Sequence, residues 1–195
     1  MNLRLFIKSQ PWGVWALIIL MLATRAHANH FGSAITLPDA SLAVFFMAGL
    51  WFSGLRLFTV LLVEAALIDY VAISQMGVSD YCISPAYGFL IPTYAALFWG
   101  GRLAARFEAL KLRAMVTQCA ILISASTVAF LVSNLSFYAL SGRFAELNWL
   151  QYFDRITQYY PSYMSSALIY ALLIVGVIKL LSASGYTQTR THNAS

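Results

Sequence analysis

Apolar positions in this chain fall in long, nearly unbroken blocks, without the every-second-residue alternation of a half-buried strand or the one-sided stripe of a surface helix. A helix needs roughly 20 apolar residues to cross a bilayer core about 30 Å thick. The blocks predict six spans at about 11–24, 40–54, 57–74, 85–101, 114–135 and 162–181. The first follows Arg4 and Lys8 and is expected to close at Arg25. With Ala26-His27-Ala28 behind it, this stretch also has the form of a secretory signal; we read it as the first span, and both readings place Asn29 outside.

The segments between the blocks carry their own signals. Residues 25–38, with His27, His30, Gly32 and Ser33, are expected to form an ordered outer loop or lid. Asp39, just after Pro38, suits the start of the second helix. Gly54-Leu55-Arg56 is expected to form a tight inner turn, and Pro92 to kink the fourth span. The fifth span is rich in Ser and Ala, which suits close helix contact in lipid. Between 136 and 161, Phe144, Trp149, Leu150, Phe153 and Ile156 recur near the helical period among Glu146, Asp154 and Arg155, predicting an amphipathic outer cap.

Composition fixes the class. The 195 residues are 61% hydrophobic and 10% charged, against about 25% charged in soluble domains, so the expectation is an all-α integral membrane protein, one six-helix domain over 1–195. Its net charge of +5 is unevenly spread. Arg4, Lys8, Arg56, Arg102, Arg106, Lys111, Arg113, Lys179 and Arg190 fall on one side of the expected bundle and only Arg25, Arg143 and Arg155 on the other, which predicts a multi-pass protein with both termini in the cytoplasm. No basic run with interleaved aromatics argues for nucleic acid. No Walker A sequence is present, so no ATP site of that type is expected in this chain.

Two acids lie in the third span, Glu64 and Asp69. Intramembrane carboxylates are costly and normally face the bundle interior, so Asp69 is expected inside, near the outer end. The next outer connection, Asp80-Tyr81-Cys82-Ile83-Ser84-Pro85-Ala86-Tyr87, gathers a thiol, a carboxylate and two phenols beside a proline. A soft, ionisable sulfur there points to a soft metal or to redox chemistry; a small buried hydrophobe in a loop is the plainer alternative. Cys119 lies in the inner part of the fifth span, about 20 Å from Cys82 in depth at 1.5 Å per residue. Disulfide partners need Cα atoms within about 7 Å, so the two do not pair, and Cys119 is expected to serve packing. His27 and His30, three apart, would share a face if helical, which leaves a nickel or cobalt ion permease open.

The six-span pattern, His30 in the first outer loop, Asp69, the Asp80–Tyr87 stretch, and Tyr152-Phe153-Asp154-Arg155 before the last span together resemble the BtuM family of predicted cobalamin transporters, which are similar to the S-components of energy-coupling factor transporters. The resemblance covers most of the chain, and its specificity rests on Cys82 and its surroundings. It implies that Cys82 ligates the corrinoid cobalt and helps strip cyanide from cyanocobalamin, and that His30, Asp69, Tyr87 and Arg155 line or support the pocket. Cobalamin is then the bound substrate, with membrane lipid and energising transmembrane and ATPase subunits as further partners. One departure concerns those subunits. The AxxxA pattern common in the first helix of such S-components is missing, because Leu20 follows four after Ala16 and His27 four after Ala23. A membrane enzyme for cobalamin decyanation without transport is the alternative from another class.

Overall fold

A computed structural model describes residues 12–30, 38–77, 79–107, 112–144 and 148–192, with side chains for all of these except 26–30, 82, 112 and 181–192. The described residues form six α-helices: α1 (Trp12–His30), α2 (Ser41–Trp51), α3 (Leu55–Gln75), α4 (Leu90–Ala104), α5 (Leu112–Leu140) and α6 (Trp149–His192). Two 3-10 turns, Asp80–Cys82 and Pro85–Phe89, join α3 to α4.

Among the described residues, three helical segments, Leu55–Gln75, Arg113–Leu140 and Trp149–Leu180, are long and apolar enough to cross a membrane. Shorter apolar stretches cover Trp12–Arg25 and Ser41–Trp51. At 11 residues, α2 rises only about 16 Å. It compensates by position: α1, α3, α4 and α6 all pack on it, and every one of its residues is buried. A helix apolar on all sides is stable only when surrounded in this way.

The closest approach is between α2 and α4. A Cβ added to Gly49 would overlap the Phe98 carbonyl oxygen, and one added to Gly101 would overlap that of Phe46. Two helices therefore meet backbone to backbone, as small residues allow in lipid. Above this crossing Phe45 stacks on Tyr94 with ring centroids 4.1 Å apart, and Phe58 bridges Phe45 and Phe98 at 5.7 and 5.1 Å.

Several boundaries differ from the sequence reading, each for a local reason. Helix α1 does not close at Arg25 but continues to His30. Arg25 is accommodated in the helix because acidic partners meet its side chain, as shown below. The turn expected at Gly54-Leu55-Arg56 lies at Phe52–Gly54, where Ser53 takes a positive φ of 52°, and Leu55 and Arg56 already belong to α3. Pro92 sits in the first turn of α4, where its missing N–H would have no intrahelical partner in any case, so it opens the helix instead of interrupting it. The cap expected over 136–161 is not a separate element among the described residues: Ser136–Leu140 end α5, and 149–161 are the opening turns of α6, which runs on through Pro161.

Candidate ligand cavity

At the end of the bundle where α1, α3 and α5 finish and α4 and α6 begin, a cavity of about 430 Å³ opens. Its base is a buried guanidinium. Arg25, 7% exposed, donates from Nε to Asp69 Oδ1 at 2.7 Å and from Nη2 to Asp69 Oδ2 at 2.6 Å. Its Nη1 shares its hydrogens among Tyr94 Oη at 2.7 Å, Ser41 Oγ at 3.1 Å and Asp39 Oδ2 at 3.2 Å. One side chain thus ties α1 to α2, α3 and α4. The fork geometry of guanidinium matches a carboxylate in a way an ammonium would not.

Asp39 also starts α2. Its Oδ1 accepts the Ser41 amide at 2.9 Å and the Ser41 hydroxyl at 2.6 Å, while its backbone carbonyl accepts the Ser166 hydroxyl of α6 at 2.6 Å. The expected capping role is observed, one position ahead of Ala40, whose carbonyl closes the first helical turn by accepting the Val44 amide.

Tyr87 stands in the second 3-10 turn, ahead of α4, and donates to Asp69 Oδ2 at 2.8 Å. Burial, reinforced by the Asp69 carboxylate, pushes its phenol well above the ordinary range. It is therefore a fixed donor at any physiological pH. Asp69 receives three hydrogen bonds, which offsets its cost inside the bundle.

Arg155, from the second turn of α6, forms the opposite wall. Its guanidinium lies over the rings of Tyr159, Phe144 and Phe137 at 4.9, 5.2 and 5.4 Å, a set of cation–ring contacts that places a planar cation at the cavity wall. Its Nε is buried and has no hydrogen-bond partner among the described residues, and the same holds for Oδ1 of Asn134 on α5. Both residues line the cavity. The wall therefore offers one N–H donor and one carbonyl acceptor, set among apolar surfaces of Ala72, Ile73, Ala86 and Leu90. A ligand carrying amide groups can satisfy both.

Of the residues singled out from sequence, Asp69, Tyr87 and Arg155 all line this one cavity. Cys82 ends the first 3-10 turn, between Tyr81 and Ile83, which both line the cavity; its side chain lies outside the described residues. His27 and His30 fall in the last turn of α1, and their side chains likewise lie outside. Cys119 is a free, exposed thiol on α5, on a different cavity, so the interior packing role expected for it is not what the structure shows. Among the described residues no group of three or more His, Cys, Asp or Glu is placed to hold a metal ion.

Arg25, Tyr94 and Asn134 belong to the cavity and were not singled out. An arginine at the edge of an apolar block, with Asp39 and Asp69 otherwise unbalanced in charge, was the available signal for the first. A carboxamide inside an apolar run was the signal for Asn134. Compared with models of known protein families and with curated proteins, the chain matches none.

Proposed function

We propose that this chain is a cobalamin-binding uptake protein of the bacterial cytoplasmic membrane. In this reading the shorter helices α1, α2 and α4 complete a six-span bundle with α3, α5 and α6, both termini are cytoplasmic, and the cavity faces outward. The observation that carries the reading is the pairing of unsatisfied polar groups, Arg155 Nε and Asn134 Oδ1, with the Cys82 turn at the same cavity. Corrinoids present a rim of amides around an apolar macrocycle and a metal with an exchangeable axial position. A whole corrinoid exceeds about 430 Å³, so one edge and one face of the ligand would be seated and the remainder would project outward.

The cobalt is assigned to Cys82. A thiolate is a soft, strong donor, and binding to the metal drives its deprotonation. With cyanocobalamin the step is a ligand exchange: the cobalt–sulfur bond forms, the cobalt–carbon bond to cyanide breaks, cyanide leaves with its electron pair, and the thiol proton passes to solvent. No electron is transferred. Energising transmembrane and ATPase subunits would supply the driving force.

The test is the visible spectrum of the purified protein with cobalamin, followed by uptake into a cobalamin auxotroph. Cobalt–sulfur absorption that disappears in Cys82→Ser, with uptake dependent on the chain, is the expected result. A protein that stays colourless after exposure to excess cobalamin, or a Cys82→Ser variant with an unaltered spectrum, overturns the assignment. Decyanation without any uptake would make the chain an enzyme.

A further inference from the structure

A second cavity, of about 300 Å³, lies at the opposite end of the bundle, between α2, α5 and α6 and against residues 105–107 that follow α4. Its walls are apolar: Phe46 and Leu50 from α2, Leu122 from α5, and Leu168, Leu172 and Val175 from α6. Along α6 it extends from Leu168 to Lys179, about 16 Å at 1.5 Å per residue. That is close to the depth of one leaflet, half of a hydrocarbon core about 30 Å thick.

Among the described residues, the charges lining this groove have one sign and one place. Arg106 and Lys179 line it, and no Asp or Glu is among its described lining residues. Lys179 Nζ approaches Met115 Sδ, in the first turns of α5, at 3.9 Å, and Arg106 lies two residues past the end of α4, so both cations stand at the same end. The carbonyls at the end of α4 would otherwise oppose an anion there. Three of them are occupied: Gly101 O accepts the Ala105 amide at 3.0 Å, Leu103 O the Arg106 amide at 3.1 Å, and Ala104 O both the Phe107 amide at 3.1 Å and Gln118 Nε2 at 3.3 Å.

A leaflet-deep apolar groove ending in two cations matches one chemistry in a membrane, an acyl chain joined to an anionic headgroup. We propose that the groove seats an anionic phospholipid, with a chain along α6 and its phosphate between Arg106 and Lys179. Cys119, exposed on the groove wall, would lie beside the chain. This assignment is independent of what the Arg25 cavity binds.

Delipidated protein in detergent would be offered phosphatidylglycerol or phosphatidylcholine, and retained lipid counted by native mass spectrometry. The wild type should retain phosphatidylglycerol preferentially. Arg106→Gln with Lys179→Gln should reduce that retention roughly tenfold or more. Cys119→Trp, which obstructs the chain path and leaves both cations, should reduce it as well. Equal retention of the two lipids, undiminished retention in either variant, or displacement of phosphatidylglycerol by inorganic phosphate alone would each overturn the proposal.

Discussion

Arg25 grips Asp69 through both carboxylate oxygens, at 2.7 and 2.6 Å, across 44 residues of sequence. The arginine side chain is 8% exposed and the aspartate 16%, so removing one partner leaves a largely buried charge short of its counter-ion. Breaking such a pair typically costs about 3–5 kcal/mol, whereas replacing both members with apolar residues can be nearly neutral. Asp69→Ala should therefore lower stability by about 3 kcal/mol, with the remaining Asp39 contact at 3.2 Å limiting the loss. Arg25→Leu combined with Asp69→Leu should recover most of it. Thermal unfolding in detergent measures both, and a single variant as stable as wild type would remove the pair from the account of the fold.

Arg155 is stacked among rings, and its buried Nε has no hydrogen-bond partner among the described residues. A lysine keeps the charge but loses both the planar stacking and the Nε–H. Arg155→Lys should thus weaken the proposed cobalamin binding nearly as much as Arg155→Ala, about five- to tenfold, the equivalent of one ordinary hydrogen bond of about 1 kcal/mol. Absorbance titration reads this directly. Wild-type affinity in the lysine variant would show that charge alone is what the site uses.

The α2–α4 crossing predicts a sharper stability effect from a smaller change. Gly49→Ala or Gly101→Ala would drive a methyl group into the Phe98 or Phe46 carbonyl, and neither carbonyl can move without separating the two helices. Overpacking of this kind typically costs about 1–3 kcal/mol, and here backbone is opposed to backbone, so the upper end is expected. Gly54→Ala, where the nearest atom to an added Cβ is 3.9 Å away, is the control and should leave the unfolding temperature nearly unchanged. Equal tolerance at Gly54 and Gly101 would contradict the crossing.

What the sequence showed and what it hid follow from the range of the forces involved. Helical class and the approximate positions of the apolar blocks were legible because hydropathy is a local sum, and Asp69 stood out because a carboxylate within an apolar run is expensive; a pocket role for Tyr87 and Arg155 came only with the family resemblance. Boundaries were less legible where a partner distant in sequence decides them. Nothing within a few residues of Arg25 reveals that Asp69 will meet it and allow α1 to continue, and the continuation of α6 through Pro161 defeats the local expectation that proline ends a helix. The central role of α2 was hidden for the same reason: its apolar residues look like any span, while its burial on all sides comes from four other helices.

Glu64 presents the opposite case to Asp69, and the comparison yields the last prediction. Five residues earlier on α3, it lies beside the inward face formed by Leu61, Ala65, Ile68 and Ala72. Both of its carboxylate oxygens are buried and have no hydrogen-bond partner among the described residues. Helix α2, which packs on α3, contains no titratable side chain, and Arg25 of α1 is committed to Asp69 and Asp39. A carboxyl group left without partners lowers stability by about 1–3 kcal/mol relative to an apolar group of similar shape. Glu64→Leu should therefore stabilise the protein by about 1–2 kcal/mol and raise its unfolding temperature, while Glu64→Ala, which removes the carboxyl but leaves a void, should change it little. If Glu64→Leu instead unfolds earlier than wild type, the carboxyl has a partner in the folded protein. If it unfolds later yet abolishes uptake, Glu64 is retained at a cost in stability because transport requires it.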